Sequence, residues 1–447
     1  MSIKPYPKYK DSGVEWLGKV PEGWEVKPLK AVASHNDETI DESHDADSEI
    51  LYVDISGVDA SKGIQMKEAL RFGEAPSRAR RIVKNGDVIV STVRTYLRAI
   101  APVKNPEPNL VVSTGFAVIR SKDRLDPHFS PYVLSAAHFI EQVIARSVGV
   151  SYPAINASDL VRIPVPLPTL VEQSAIASFL DHETAKIDSL IAEQEKLIEL
   201  LKEKRSAVIS HAVTKGLNPD VKMKDSGVEW LGMVPEHWEV KRLRFAAKLN
   251  PPKSELSALD RSTLVSFLPM ECIGEDGTLQ LEKEKPIGEL ETGYTYFRDG
   301  DVTIAKITPC FENGKGAIMR GLSNGVGFGT TELIVVRPLD QAATPSYLQY
   351  LFTSSSFRKI GESHMYGAGG QKRVPDSFVR DFSPAFPPYS EQSAIASFLD
   401  AETAKFDALT TEAQLGIDLL QERRSALISA AVTGQIDVRN FAPSKAA

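Results

Sequence analysis

In two stretches of the chain mostly apolar positions recur in alternating steps of four and three. Ile187, Ile191, Gln194, Ile198, Leu201, Arg205, Val208 and Ala212 form one series; Phe406, Thr410, Ala413, Ile417, Leu420, Arg424, Leu427 and Ala431 form the other. This is a heptad seam. It predicts two long helices that pair through Ile187, Ile191, Ile198, Leu201, Val208, Phe406, Ile417, Leu420 and Leu427. A helix of ~40 residues spans ~60 Å, too long to fold back as one element of a compact domain. The plainer alternative is a pair of ordinary amphipathic surface helices, but those seldom run much beyond ~25 residues. One such helix follows each of two other segments, so the pair must run antiparallel to return the chain.

The other segments, about 30–165 and 244–386, carry short β-branched runs bounded by turn residues. The first predicts strands at Ile50–Ile55, Val88–Val93 and Val111–Ile119; the second at Thr263–Leu268, Val302–Ile307 and Leu333–Arg337. Asn85-Gly86-Asp87-Val88 and Asp299-Gly300-Asp301-Val302 each place a glycine turn before a strand. Pro131–Arg146 and Pro345–Lys359 read as helices that start at proline. Proline-rich exits, IPVPLPTL at 163–170 and FSPAFPPY at 382–389, impose an extended end on both segments.

These similarities of outline rest on a true internal repeat. Residues 8–29, KYKDSGVEWLGKVPEGWEVKPL, differ from residues 222–243, KMKDSGVEWLGMVPEHWEVKRL, at four of 22 positions. The helical block recurs too, EQSAIASFLDHETAKIDSL from Glu172 and EQSAIASFLDAETAKFDAL from Glu391, with 29 of 43 positions matching through Thr214 and Thr433. The fold class expected is mixed α/β (α+β): two globular domains, two long antiparallel coiled-coil helices between them, and an internal pseudo-two-fold repeat. The divisions are a first domain at 1–170, a helix at 171–215, a second domain at 216–389, a helix at 390–434 and a tail at 435–447. Trp16, Trp24, Trp230 and Trp238 stand in identical contexts in the two copies, which marks them as packing residues.

Composition narrows the function. The 447 residues are 42% hydrophobic and 25% charged, an ordinary globular balance. The two cysteines, Cys272 and Cys310, form no CxxC pair, which excludes a thiolate zinc site and a disulfide framework and points to a reducing cytoplasm. No apolar signal core opens the chain, and no run reaches the ~18 apolar residues of a membrane helix, so no membrane partner is expected. A net charge of −7 argues against a protein that binds nucleic acid by bulk charge alone.

The duplicated layout resembles the specificity (S) subunit of type I restriction–modification systems. The residues that carry the resemblance are DSGVEWLG…VPE.W at 11–24 and 225–238, and EQ..IA.FLD at 172–181 and 391–400. The stretch ITPCFENGKG at 307–316, followed by TTELIVVR at 330–337, is similar to a common target-recognition-domain motif. The resemblance implies a bacterial-defence protein in which each target recognition domain reads half of a split, asymmetric duplex DNA target and the helices act as a ruler. It implies a non-catalytic subunit that docks methyltransferase subunits, two in number, and restriction/motor subunits. No cofactor is then bound by this chain; S-adenosylmethionine, ATP and Mg belong to the partners. The first domain lacks the ITPCFENGKG string and has Ser91-Thr-Val-Arg-Thr-Tyr-Leu-Arg98 in its place, which implies two different half-sites.

The rival is a DNA adenine methyltransferase with a fused recognition domain, because Asn250-Pro251-Pro252-Lys253 resembles the Asn-Pro-Pro-aromatic motif of amino-methyltransferases. Lys253 does not stack on a flipped base as an aromatic does, and no Gly-rich cofactor loop precedes it. A scaffold without DNA function is a third reading. No GxxxxGK[ST] phosphate loop occurs, and no HExxH. Candidate DNA contacts follow from side-chain chemistry, since Arg, Lys, Asn and Gln read base edges while Ser, Thr and Lys hold phosphates. They are Arg78, Arg80, Arg81, Ser91, Thr92, Arg94, Tyr96 and Arg98 in the first domain. In the second they are Lys306, Thr308, Glu312, Asn313, Lys315, Gln371, Lys372 and Arg373, the last three in a Gly-rich segment from Tyr366.

The repeat generates a prediction of its own. A fragment of residues 1–215 holds one motif, one domain and one helix, and two copies should pair about a true two-fold axis. With methyltransferase partners the dimer should modify a palindrome built from the first half-site. A monomer by light scattering, or modification of the original asymmetric target, would break the symmetry argument.

Overall fold

The computed structural model describes residues 4–59, 62–368 and 370–441. Its longest elements are helices at Leu170–Lys215 and Tyr389–Val432. From Ile187 to Arg205 every seam position is buried or half-buried and every position between is exposed; the same holds from Phe406 to Arg424, save half-buried Gly416. The heptad periodicity therefore selects the paired face.

The chain forms two compact units, Met1–Gln194 with Leu415–Ala447, and Glu195–Gln414. Each unit takes the first part of one long helix and the last part of the other. In the first unit Arg424 Nε donates to Asp188 at 2.8 Å. In the second, Arg205 Nε lies 3.4 Å from Asp407. Asp407 repeats Asp188 and Arg424 repeats Arg205, so one ion pair is made twice with the helices exchanging roles. That exchange is the signature of antiparallel pairing within a two-fold repeat. Exposed pairs of this kind contribute about 0–1 kcal/mol, so they specify register more than stability. The units cut across the sequence divisions at 171–215 and 390–434, because antiparallel pairing gives half of each helix to each unit. The tail joins the first unit: Asp437 N donates to Lys4 O at 2.8 Å, and Phe441 meets Phe179 edge-on at 5.0 Å. Residues 442–447 lie outside the described residues.

Each unit contains a globular domain of two sheets, the segment expected to be a target recognition domain, or reader. In the first reader one sheet has the order Ile100–Pro102, Val88–Ser91, Phe116–Ser121, Ala33–His35, all antiparallel. The other orders Glu68–Arg71, Glu49–Val53, Leu110–Ser113, Ala79–Ile82, and only its central pair is parallel. The second reader repeats this plan with Val302–Ala305, Leu333–Pro338 and Ala247–Leu249 in one sheet. Its other sheet has Glu284–Pro286, Leu264–Leu268, Val326–Gly329 and Thr295–Arg298. Two expectations need correction. The run Val111–Ile119 is two strands in different sheets, because the chain crosses between sheets at Thr114-Gly115. The helices expected at Pro131–Arg146 and Pro345–Lys359 each break in two, at extended Ala136 and Ser354. At the break a backbone N–H turns to a serine of a long helix, Ala137 to Ser429 at 3.4 Å and Ser355 to Ser210 at 3.1 Å.

Buried polar side chains bolt each reader to its helix. Trp24 and Trp238 are wholly buried, and their indole N–H groups donate to Glu172 at 3.3 Å and Glu391 at 3.2 Å in the first helical turn. Next in sequence, Gln173 accepts from Asp126 N and donates to Arg124 O and Pro168 O. Gln392 likewise accepts from Thr344 N and donates to Ala342 O and Pro387 O. Tyr132 and Tyr350 donate to Asp181 and Asp400, each at 2.6 Å. Trp16 stacks on His138 and Trp230 on Phe382, so all four tryptophans pack internally.

Inside each reader the glycine turn holds a buried acid. Gly86 and Gly300 both sit at φ +88°, and the following Asp87 and Asp301 receive bidentate bonds from Arg120 and Arg337. Each arginine also reaches a glutamate, Glu38 or Glu255. Burial raises the cost of leaving either charge alone; it works to lower the arginine pKa values, and the hydrogen bonds to Asp87 and Glu38, or Asp301 and Glu255, outweigh it and raise them. Among the described residues no helix is long and apolar enough to cross a membrane.

Gln173→Ala and Gln392→Ala should each destabilise their unit by roughly 2–3 kcal/mol, since a buried N–H and two carbonyls lose their partner. Denaturant unfolding of the full chain checks this. A shift below about 0.5 kcal/mol would mean that water replaces the amide and that the joint lies elsewhere.

Candidate nucleic-acid interface

In the first reader, strand Val88–Ser91 exits its sheet into a short turn, Thr95–Leu97, flanked by Arg94 and Arg98 in left-handed conformation at φ +51° and +53°. Facing it is a loop whose base is closed by paired backbone bonds between Val148 and Ala154, 2.8 and 3.0 Å. Gly149 turns this loop at φ +118°, where a Cβ would lie 3.1 Å from Tyr152 O. Ile155 N donates to Thr92 O at 2.9 Å, and the Thr95 and Ser147 hydroxyls lie 2.8 Å apart, so strand exit and loop form one frame. The Arg94 guanidinium lies 4.7 Å above the ring of Tyr152. A cleft beside them is lined by Asp54, Arg78, Val93, Leu97 and Ser113.

The second reader has the same frame. Strand Val302–Ala305 exits beside a loop closed by Tyr366 and Arg373, with backbone bonds of 3.1 and 2.9 Å. Gly367 turns it at φ +129°, where a Cβ would lie 2.6 Å from Gln371 O. Val374 N donates to Lys306 O at 2.8 Å and Thr308 N to Lys372 O at 3.0 Å. Gly369, within the Gly-rich segment, lies outside the described residues.

The expected contact residues divide between frame and surface. Ser91 and Thr92 are buried, and their hydroxyls donate to Val93 O and Gly115 O, so they shape the exit and do not face solvent. Arg78 lines the cleft but is held by Tyr52 Oη at 3.2 Å and Asp54 at 3.0 Å. Arg80 lies over Phe72, and half-buried Arg81 has its Nε without a hydrogen-bond partner, its pKa lowered by burial. Neither lines the cleft. In the second reader Arg373 makes bidentate bonds to Glu332 at 2.9 and 2.8 Å. Thr308 donates to Glu312, whose other oxygen is buried and unpartnered. The neighbouring half-buried Arg358 donates to Phe352 O and Phe311 O, and desolvation pulls its pKa down to about 10. Asn313 and Lys315 turn away, to Glu275 and Met270 O. Arg94, Tyr96, Arg98, Gln371 and Lys372 are exposed, and Lys306 half-exposed.

The sequence reading missed the tip Val148, Val150 and Tyr152, which is exposed beside Arg94. Its one signal is Gly149, the counterpart of Gly367, and the unequal lengths of the two loops hide that match. Asn250 is also reassigned. It sits at φ +44°, accepts from Val335 N at 2.9 Å and donates to Asp376 at 2.8 Å. Asn36 repeats this with Val118 N at 2.9 Å, without any Pro-Pro. The asparagine of the Asn-Pro-Pro motif is thus a strand-end staple, and the methyltransferase reading loses its main support.

Comparison with known proteins agrees with this architecture. Residues 21–200 match the family model of the type I restriction modification DNA specificity domain. The chain is 39% identical over 204 residues to the EcoEI specificity subunit of Escherichia coli, 45% of this chain and 34% of that one. It is 23% identical over 447 residues to a putative type I specificity subunit, MjaX, of Methanocaldococcus jannaschii, covering 95% of this chain and 96% of that one. The chain spans about a third of the length of the two E. coli relatives EcoEI and EcoAI. A solved chain, described in work on assembly and conformational transition of the type I R-M system, shares the fold at TM-score 0.67 and 21% identity, over 93% of this chain and 99% of that one.

The Glu332–Arg373 pair generates a pH prediction. The Arg373 guanidinium holds the Glu332 carboxyl below its usual 4.5. A depressed folded-state pKa gives stability that is present above 4.5 and lost as pH falls through the lowered value. Glu332→Gln should therefore narrow the stability gap to the native chain as pH drops from 6 toward 3. Denaturant midpoints that keep a constant gap would show that the pair is not formed.

Proposed function

We propose that this chain, which is similar to type I restriction–modification DNA specificity subunits, is the non-catalytic recognition subunit of such an enzyme. Each reader takes one half of a bipartite, asymmetric duplex target. The long helices set the spacer, and methyltransferase subunits, two of them, dock on the chain; restriction/motor subunits complete the complex. S-adenosylmethionine, ATP and Mg are bound by those partners. The observation that carries this reading is a pair of reader frames bolted to their helices by the same residues but ending in different tips. Leu190, Leu197, Leu200, Leu409, Leu415 and Leu419 are exposed outside the heptad seam, which supports docking of further protein along the helices. The net charge of −7 leaves no cationic surplus to neutralise phosphates, which supports DNA binding by a complex in preference to the isolated chain.

The test begins by mapping methylation in the host genome to obtain the target, then lengthens both helices. Seven residues inserted after Leu197 and at the repeat position after Gly416 preserve the seam. They add about 10 Å of helix. At ~3.4 Å per base pair, the unspecified spacer should grow by up to about three pairs. That growth also turns the second half-site by about 100° around the duplex, so a smaller shift with reduced activity is the expected result. The half-sites themselves should not change, because neither reader is touched. A folded double insertion that still modifies the original spacing at full rate would sink the ruler.

A further inference from the structure

The two reader frames differ most at their loop tips, and the difference is one of chemistry. In the first reader Val148 and Val150 are 80% and 101% exposed, Tyr152 is 61% exposed, and the tip carries no charge of its own. Tyr96 and Leu97 on the facing turn extend the exposed apolar surface. Arg94 braces Tyr152 from behind, and among the described residues neither Arg94 nor Arg98 makes an ion pair with a carboxylate. In the second reader the corresponding tip offers Tyr366, Gln371 and Lys372 on a glycine-rich turn. Two hydrophobic side chains held in water on a loop closed by a single β-bridge have no use in the isolated fold. The major groove of B-DNA admits an α-helix or a two-stranded β ribbon, so it is wide enough for a loop closed by one bridge. Within that groove the thymine C5-methyl is the apolar feature of the base edges, while the other groups presented are hydrogen-bond donors and acceptors. The unpaired cations at Arg94 and Arg98 complement the flanking phosphates.

We propose that the tip of the first reader, Val148, Val150 and Tyr152 backed by Arg94, determines its half-site by packing against thymine methyl groups in the major groove. The counterpart tip selects by hydrogen bonds from Gln371 and Lys372. This rests on the recognition function proposed above and adds to it a specificity-determining element and the base feature that it reads.

The experiment uses the full chain with its methyltransferase partners and the target found by methylation mapping. Each thymine of the target is replaced in turn by uracil, which lacks only the methyl, and dissociation constants are measured. Burial of one methyl is worth about a four-fold change in affinity. Uracil should weaken binding by about that factor at one or more thymines of a single half-site. Val150→Ala should erase that discrimination and leave the other half-site unaffected; Val150 is fully exposed, so folding is not at risk. Equal binding of all uracil and thymine duplexes overturns the proposal. So does a loss of activity in Val150→Ala without any uracil effect, which would make the tip a wedge between base steps. If the complex selects no sequence at all, the recognition function itself has failed, and the two failures are thereby distinguished.

Discussion

A buried amide at the start of each long helix fixes where its reader sits. Gln173 and Gln392 are essentially without exposure, and each uses its carbonyl oxygen once and its amino group twice. Those bonds join three places: the helix, the reader segment before its broken helix, and the proline-rich exit. Only a neutral side chain with both donor and acceptor satisfies all three. A glutamate would bring charge into the joint, and a leucine would strand an N–H and two carbonyls. The neighbouring glutamate takes a tryptophan N–H from the repeated motif, and an aspartate farther along the helix takes a tyrosine hydroxyl. The position of a reader is therefore referenced to a rigid helix by directional bonds, and apolar packing alone would not set the angle.

From that joint the constraint passes inward through the glycine turns. Asp87 and Asp301 accept from the backbone of their own turn as well as from a bidentate arginine on a neighbouring strand. A buried ion pair of this kind often contributes little net stability over an apolar replacement, but removal of one partner is costly. Its effect here is geometric: it locks the turn to the strand that faces it. The locked strand, Val88–Ser91 or Val302–Ala305, is the one whose exit carries the candidate interface. Helix, joint, turn, strand and tip form one mechanical series in each unit.

Periodicity explains which parts were legible. The seam was readable because seven-residue spacing and duplication are redundant signals, and each position between Ile187 and Arg205 obeys them. The strands Leu110–Ser113 and Phe116–Ser121 read as one run because both are buried on both faces, which removes the alternation that would mark a boundary. The break at Ser354 has a local basis, since its side chain caps the second helix by accepting from Phe357 N, whereas at Ala136 the bond from Ala137 N runs to Ser429 of a distant helix and leaves no local signal. Among the contact candidates, Ser91 and Thr92 have the right chemistry, but their hydroxyls are consumed by carbonyls, a fact that lies in the fold. Val150 and Tyr152 give no signal for the opposite reason: apolar residues in a loop carry no motif until their exposure is known.

The division between frame and tip lets one architecture present different surfaces. A substitution at Gln173, Asp87 or Trp24 strands buried polar groups or opens a cavity, and its cost falls on folding. A substitution at Val150 or Lys372 changes exposed surface, where stability effects are usually within about 0.5 kcal/mol. Sequence can thus vary at the tips at almost no expense to the fold, while the joints that anchor each domain to its helix are the same in both copies. Gly149 and Gly367 mark the limit of that freedom, since their positive-φ turns set the direction of the loop whatever residues it presents. Recognition chemistry is in this way uncoupled from the position at which it is delivered.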